Sequence, residues 1–403
     1  MTTAAASGAP GRPGGDLPAS AVVIGTGLIG TSVALALRER GTAVWLADND
    51  PQSARLAEHI GAGTVLPGPW PPAPAGPAPG APAPAELAVL AVPPAAVAAT
   101  LAAAQACGLA HWYTDVASVK SFPLHQAREL GCDLSTFVAG HPISGRERSG
   151  PAAARADLFL GRPWVICPAP ESRPAAVAAV TGLARACGAE PVTASAAEHD
   201  RWVALISHAP HVVSAAMAAR LAEAPGSALA LAGQGLRDVT RIAAGDPDLW
   251  TQILGANAAP VAQVLADVAA DLSMAAEALA EAAHPAARQA PGTPGEPPVP
   301  EAPAALKALT GLLAHGNAGT SRIPGKRGKP ARADAVVQVV IRDQPGELAR
   351  LFQAAGQAGV NIEDIGIEHS PGLPVGVAEL TVRPEAVATL TAALAASGWP
   401  VRG

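Results

Sequence analysis

The sequence predicts three folded parts in series: an α/β domain built on a parallel sheet, an all-helical (all-α) domain, and a small βαββαβ domain. Three observations predict it. Short, continuously apolar runs alternate with helical patterns over residues 20–194. Ala/Leu-rich helical periodicity takes over from 195 to 287. From residue 335 the chain starts afresh in the order strand, helix, strand, strand, helix, strand.

In the first part the apolar runs are 21–25 (AVVIG), 43–48 (AVWLAD), 86–92 (ELAVLAV), 111–118 (HWYTDVAS), 136–140 (TFVAG) and 163–167 (PWVIC). Strands this apolar, separated by helices, indicate a parallel sheet covered on both faces. In the second part the runs 199–224, 228–244 and 249–283 show helical periodicity and almost no strand signal. Their Ala-rich faces allow close helix packing, which suits a dimer core. In the third part, 335–343 reads as a strand and 345–359 as a helix with Pro345 in its first turn, a favoured position. Residues 360–370 and 375–382 read as strands, 384–398 as a helix and 399–403 as a last strand. That order is the ferredoxin-like one.

Composition narrows the class. A length of 403 residues suits two to four domains. Hydrophobic residues are 49% but aromatics only 3%, so Ala, Leu and Val must fill the cores. A formal net charge of -6 argues against a nucleic-acid partner, because phosphate contacts need a basic face. Gly and Pro, 41 each, cluster in three places. Residues 1–19 read as a disordered tail without the apolar core of a secretory signal. Residues 67–85 (PGPWPPAPAGPAPGAPAPA) are too proline-rich for a helix or central strand and read as a stiff surface insertion. Residues 288–334 read as a linker carrying a short helix (304–315) and a basic loop (321–332). No run reaches the ~18 consecutive apolar residues of a membrane span. The four cysteines, Cys107, Cys132, Cys167 and Cys187, form no CxxC pair, which suits a reducing cytoplasm without disulfides or zinc.

The first strand runs into Gly25-Thr26-Gly27-Leu28-Ile29-Gly30, and a helical pattern follows. In that setting a G-x-G-x-x-G is a Rossmann-type dinucleotide loop. Gly25 permits the tight turn, Gly27 lets backbone approach a pyrophosphate, and Gly30 lets helix and strand pack closely. The helix opening at Leu28 and Ile29 offers free N–H groups to the phosphates. Asp48, at the end of the second strand, suits a ribose 2'-hydroxyl and would repel a 2'-phosphate, which favours NAD over NADP. Asp50, not Asp48, suits the N-cap of the next helix.

In an open parallel sheet the catalytic groups lie beyond the carboxyl ends of the strands. Two segments fall there: 114–120 (TDVASVK) and 140–150 (GHPISGRERSG). His141, held by a proline and flanked by glycines, is badly placed for a core. His208 and His211 share a helix face, but no third ligand accompanies them and no metal is expected. Arg237 and Arg241 share a helix face, where Arg237 suits a pair with Asp238 or Asp246. His199 reads as structural.

These motifs together resemble the prephenate dehydrogenases of tyrosine biosynthesis: GTGLIG, TDVASVK, GHPISGRERSG, SHAPH (207–211), LRDVTRIA (236–243) followed by DPDLW (246–250), and DQPGELARLF (343–352). The resemblance covers about 20–287, with 335–403 as an ACT-type amino-acid-sensing domain. It implies NAD-dependent oxidative decarboxylation of prephenate to 4-hydroxyphenylpyruvate by a cytoplasmic homodimer. By resemblance His141 is the catalytic base, and Ser118 bonds both it and the substrate hydroxyl. Arg241 anchors a substrate carboxylate, His208 and His211 line the pocket, Trp250 edges it, and Glu147 is an acidic group beside it. Asp343, Pro345 and Gly346 match the effector loop of an ACT domain, and Asn361 the region contributed by its partner. For a tyrosine pathway the resemblance implies L-tyrosine as the effector, with other aromatic amino acids as the alternative. The related alternatives are an arogenate or cyclohexadienyl dehydrogenase and, more remotely, a non-catalytic amino-acid sensor. A 3-hydroxyacid dehydrogenase would place a lysine where this chain has SHAPH.

Overall fold

The computed structural model describes residues 17–67, 70, 84–144, 150–283, 304–323, 335–369 and 375–402. Glu147, nearly all of the 1–19 tail, most of the 67–85 insertion and much of the 288–334 linker lie outside the described residues. Two compact units, Met1–Val268 and Ala269–Gly403, make up the chain.

The first unit is built on an eight-stranded sheet. Its strands are β1 (Ser20–Ile24), β2 (Ala43–Ala47), β3 (Thr64–Val65), β4 (Ala85–Leu90), β5 (Ala110–Asp115), β6 (Phe137–Pro142), β7 (Pro163–Cys167) and β8 (Glu190–Thr193). Their order is β3-β2-β1-β4-β5-β6-β7-β8. Crossovers α1 (Leu28–Glu39), α2 (Pro51–His59), α3 (Val97–Ala106), α4 (Ser121–Glu129) and α5 (Pro174–Ala186) link them. Alternate residues of one strand face opposite layers. Ala21 and Val23 join Leu37, Leu46, Leu87, Trp164 and Leu183 in one core, while Val22 and Ile24 join Leu90, Leu101, Tyr113 and Phe137 in the other.

The sheet is not wholly parallel. Strands β3 to β6 along the row are parallel, but β7 pairs antiparallel with β6, with His141 opposite Val165, and β8 is parallel to β7. The connection between β6 and β7 carries no crossover helix among its described residues, only a single 3-10 turn at Pro151–Ala153. A parallel neighbour needs such a crossover. Thus β7 starts at the edge where β6 ends. That edge collects Gly25 after β1, Asp48 after β2, Ser118 after β5 and His141 on β6.

Helices follow: α6 (Ala196–Val203), a π-turn (Ala204–His208), α7 (Ala209–Ala219), α8 (Gly226–Leu229), α9 (Gln234–Thr240), a 3-10 turn (Arg241–Ala244), α10 (Pro247–Ala256) and α11 (Ala258–Ala283). The expected helix over 228–244 is broken by the Gly233–Gly235 region, where α9 begins. The continuous run over 249–283 breaks at Asn257. The membrane expectation rested on unbroken apolar runs. As folded helices, 196–219 and 258–283 do meet the length and composition of a span. The first of them, however, buries His199, Asp200, His208 and His211 inside this unit.

The second unit holds α12 (Ala304–Ser321), β9 (Ala335–Arg342), α13 (Glu347–Gln357), β10 (Asp364–His369), β11 (Val375–Val382), α14 (Val387–Ala396) and β12 (Val401–Arg402). Its antiparallel sheet runs β10-β11-β9-β12. Val337, Val339 and Ile341 of β9 face a core with Leu351, Leu380, Leu390 and Leu394. α12 continues two turns past the expected end. Pro345 is not in the first turn of α13: the helix starts at Glu347, after Gly346 in a left-handed conformation (φ 91°). Arg342 pairs with Val375, and Asp364 with Thr381. The loop Asp343–Gly346 therefore lies at one end of the sheet and Asn361 at the other.

Candidate active site

The glycine loop shows what each glycine is for. Gly25 has φ 96°, and a Cβ on it would lie 2.2 Å from the Ala91 carbonyl oxygen. A Cβ on Gly30 would lie 1.9 Å from the Gly25 carbonyl oxygen. These two are demanded by the fold. Around Gly27 a Cβ would meet nothing within 4 Å, so the packing of the fold itself does not demand a glycine there. Gly27 caps α1 without a side-chain bond, which leaves the first turn at Leu28 and Ile29 to receive an anion. Asp48 Oδ2 accepts the Thr26 N–H (2.6 Å) and hydroxyl (2.7 Å), and Oδ1 accepts the Asp50 N–H (2.8 Å). A carboxylate has about four acceptor positions, so one remains for a ribose hydroxyl. Asp50 caps α2, accepting from the N–H groups of Gln52 and Ser53. The residues present fit a dinucleotide.

Three strands along the same edge, roughly 14 Å away at ordinary strand spacing, stands the second cluster. Lys120 and Asp115 are fully buried and paired, and Lys120 Nζ also donates to the Gly140 carbonyl at 2.6 Å. Asp115 accepts the N–H groups of Ala117 (3.1 Å) and Gly140 (3.0 Å). This pair ties the end of β5, which leads to half-buried Ser118, to the residue before His141.

From α6, Asp200 reaches into the same loop. Its Oδ1 accepts the Lys120 N–H and its Oδ2 the Ser121 N–H, both at 2.8 Å. Asp200 thus caps the N-terminus of α4. Asp200 Oδ1 also meets His199 Nδ1 at 2.8 Å, and His199 Nε2 meets His141 Nδ1 at 2.8 Å. His199 is fully buried and Asp200 nearly so, whereas His141 is half-buried. Burial works against the Asp200 carboxylate, but its bonds from His199, Ser121 and Lys120 outweigh that and hold its pKa below the usual value. Burial, then the neighbouring His199, Lys120 and His208, push His141 well below an ordinary histidine.

His208 ends the π-turn, and π-turns recur at functional sites. Asn257 donates one amide hydrogen to the Asp200 carbonyl (2.8 Å) and stands 3.1 Å from His208 Nδ1. The amide nitrogen has only hydrogens to offer, so His208 Nδ1 is the acceptor and the ring proton sits on Nε2. Burial lowers the pKa of His208 to about 4 and lowers that of His211. His211 stacks on Trp250 at 3.6 Å between ring centroids, and His208 meets Trp250 edge-on at 6.1 Å. A Cβ on Gly245 would lie 2.3 Å from Trp250 Nε1 and 2.9 Å from His211 Cε1. The turn carrying exposed Arg241 packs on α7, beside these rings.

His141, His208, His211 and Trp250 therefore converge, with Ser118 and Arg241 on adjoining segments. Sequence pattern alone assigns no role in the site to His199, Asp200, Asn257, Lys120, Asp115 or Gly245. The adjacent His-Asp pair just after the capping box of α6 was the available signal for the first two.

A glycine cradle on one side of a sheet edge and neutral imidazoles on the other define a nucleotide-dependent oxidoreductase. Residues 33–193 match the family model for the prephenate dehydrogenase nucleotide-binding domain, and 195–289 match that for the prephenate dehydrogenase dimerization domain. "Probable prephenate dehydrogenase NovF" of Streptomyces niveus is 40% identical over 383 residues, 94% of this chain and 99% of that one. The prephenate dehydrogenase of Bacillus subtilis is 28% identical over 58% of this chain and 62% of its own. Among solved structures, Synechocystis arogenate dehydrogenase superposes with a TM-score of 0.56 at 25% identity, covering 75% of this chain and 98% of that one. Prephenate dehydrogenase from A. aeolicus, solved with hydroxyphenyl propionate and NAD+, shares the fold (TM-score 0.59, 21% identity, 74% and 97% covered). The chain belongs to the prephenate dehydrogenase family of oxidoreductases.

Proposed function

We propose that this chain converts prephenate to 4-hydroxyphenylpyruvate and CO2, with His141 as the base at the 4-hydroxyl and NAD as cofactor. The observation that carries the reading is an imidazole held neutral on the carboxyl edge of the sheet whose first loop is the glycine cradle. When bound, NAD supplies the acceptor for the hydride that leaves C4. Gly25, Gly27, Leu28, Ile29 and Gly30 hold its pyrophosphate, and Asp48 its ribose.

The protein's own work is proton handling and orientation. His141 takes the hydroxyl proton as the C4–H bond breaks, and Ser118 keeps that hydroxyl aligned. The bond from the ring to its carboxylate then breaks, its electrons complete the aromatic ring, and the phenolate oxygen recovers a proton. Arg241 offers a planar fork to a substrate carboxylate. His208 presents Nε2–H as a neutral donor, and His211 and Trp250 form a flat wall suited to a ring.

The prephenate preference rests on the near full-length likeness to NovF and on the NAD-type Asp48. Comparing kcat/KM for prephenate and arogenate tests it: a ratio favouring prephenate supports the reading, and a ratio favouring arogenate replaces it.

The helical part pairs two copies of the chain in the cytoplasm. Exposed Leu272 and Leu279, seven residues apart on one face of α11, suit that contact. Residues 335–403 act as an ACT domain whose effector is L-tyrosine, held at Asp343, Pro345 and Gly346. Asn361, at the far end of its own sheet, serves the site of a partner copy. Inhibition by tyrosine that prephenate does not relieve supports this role. Simple competition with prephenate would place tyrosine at the catalytic site instead.

A further inference from the structure

We infer that His199 is a positioning residue: together with Asp200 it fixes which ring nitrogen of His141 carries the proton. This rests on His141 being the base. An ionised carboxylate only accepts. Asp200 accepts two backbone N–H groups, from Lys120 and Ser121, so its state is set by the α4 N-terminus as well as by His199. Facing that acceptor at 2.8 Å, His199 Nδ1 must be the protonated nitrogen. In a neutral imidazole the other nitrogen then bears a lone pair. With His199 as the neutral ring, its Nε2 is an acceptor, and His141 Nδ1, 2.8 Å away, donates to it. The proton of His141 is held on Nδ1, and its Nε2 keeps the lone pair.

The consequence is a base that is ready without rearrangement. Turned the other way, with a proton on Nε2, His141 would meet a substrate hydroxyl donor to donor. When His141 Nε2 takes a proton, the new imidazolium still donates through Nδ1 to His199, backed by the Asp200 charge. His199 touches no reacting atom in this scheme. It acts only through His141, as the orienting carboxylate does in hydrolytic triads. The neighbouring His208 is set the opposite way by Asn257, as a donor at Nε2. Two imidazoles in one cluster thus hold opposite protonation patterns, each imposed by a partner that is itself fixed.

The test is the 15N NMR of the imidazoles in the full-length protein without nucleotide, alongside steady-state kinetics. In the wild type, His141 should show a protonated Nδ1 and an unprotonated Nε2. His199→Leu should yield mixed tautomers at His141 and a kcat roughly 10- to 100-fold lower, with KM for prephenate within about twofold. His199→Gln, whose carbonyl stands near the former Nε2, should keep the His141 proton on Nδ1 and restore most of kcat. The inference is overturned if wild-type His141 is protonated on Nε2, as a doubly protonated His199 would require. It is equally overturned if folded His199→Gln is as impaired as His199→Leu. Should His199→Leu not fold, the wild-type spectrum and His199→Gln decide alone. Failure of the base assignment looks different: His141→Asn would turn over normally while the wild-type tautomers stayed as described.

Discussion

Lys120 Nζ donates to the carbonyl of Gly140 at 2.6 Å, so one buried ammonium fixes the residue that precedes His141. The same ammonium pairs with Asp115 at the end of β5. Breaking a buried pair by removing one partner leaves an uncompensated charge, at a cost of ~3–5 kcal/mol. Lys120→Met should lower stability by that amount and should lower kcat beyond what residual folding explains. Denaturant unfolding followed by tryptophan fluorescence checks the first, and activity per folded molecule the second. A variant of wild-type stability would remove the latch from the account.

Acid affects activity and stability through different histidines. The pKa of His141 lies well below its ordinary 6.5, so the base stays neutral as pH falls through that value. The profile of kcat/KM against pH, which reports the free enzyme, should show no acid limb from His141 centred near 6.5; that limb should come at lower pH. For stability the sign follows from linkage. His208 titrates at about 4 in the fold and near 6.5 unfolded, so between these values the unfolded chain binds more protons. The contribution of His208 is full above pH 6.5 and is lost as pH falls toward 4. Unfolding midpoints measured over that window should fall with pH, and a flat or rising response would contradict the burial of His208.

Two glycines of the cofactor loop should fail in different ways. Gly27→Ala places its methyl in open space and should change stability by no more than about 0.5 kcal/mol, while weakening NAD binding tenfold or more. Gly25→Ala meets the Ala91 carbonyl and a positive φ, so it should destabilise the fold itself. Calorimetric NAD titration and thermal unfolding of both variants separate the two cases. Unchanged affinity in Gly27→Ala would move the phosphate site elsewhere.

Gly245 protects the stack of His211 on Trp250. A methyl there must displace one ring, since it would lie 2.3 Å from the indole nitrogen. Gly245→Ala should raise KM for prephenate about tenfold, or ~1.4 kcal/mol, and leave KM for NAD unchanged. Equal effects on both would mean that the stack serves folding rather than the substrate.

What could be read from the sequence was local. Gly25 to Gly30, the end of β2 at Asp48, the Asp50 cap and the placement of His141 and Ser118 at strand ends all follow from short-range pattern. The direction of β7 does not, because a strand reads the same either way. The two-residue β3 and the short, exposed β8, which includes a proline, carry too little periodicity to be seen. His199, Asp200 and Asn257 were missed for another reason. Their partners lie 49 to 80 residues away, and nothing in a helical pattern says which buried polar group will meet which. His199 reads as structural in its own helix and acquires a task only when β6 is brought beside it.

The central claim is that His141 removes the 4-hydroxyl proton. Its most direct test is NADH formation from prephenate by the wild type and by His141→Asn, at saturating substrate and with NAD affinity measured in parallel. In His141→Asn kcat should drop by ~10^2–10^4 while NAD binds as before. Turnover close to wild type in the Asn variant would contradict it.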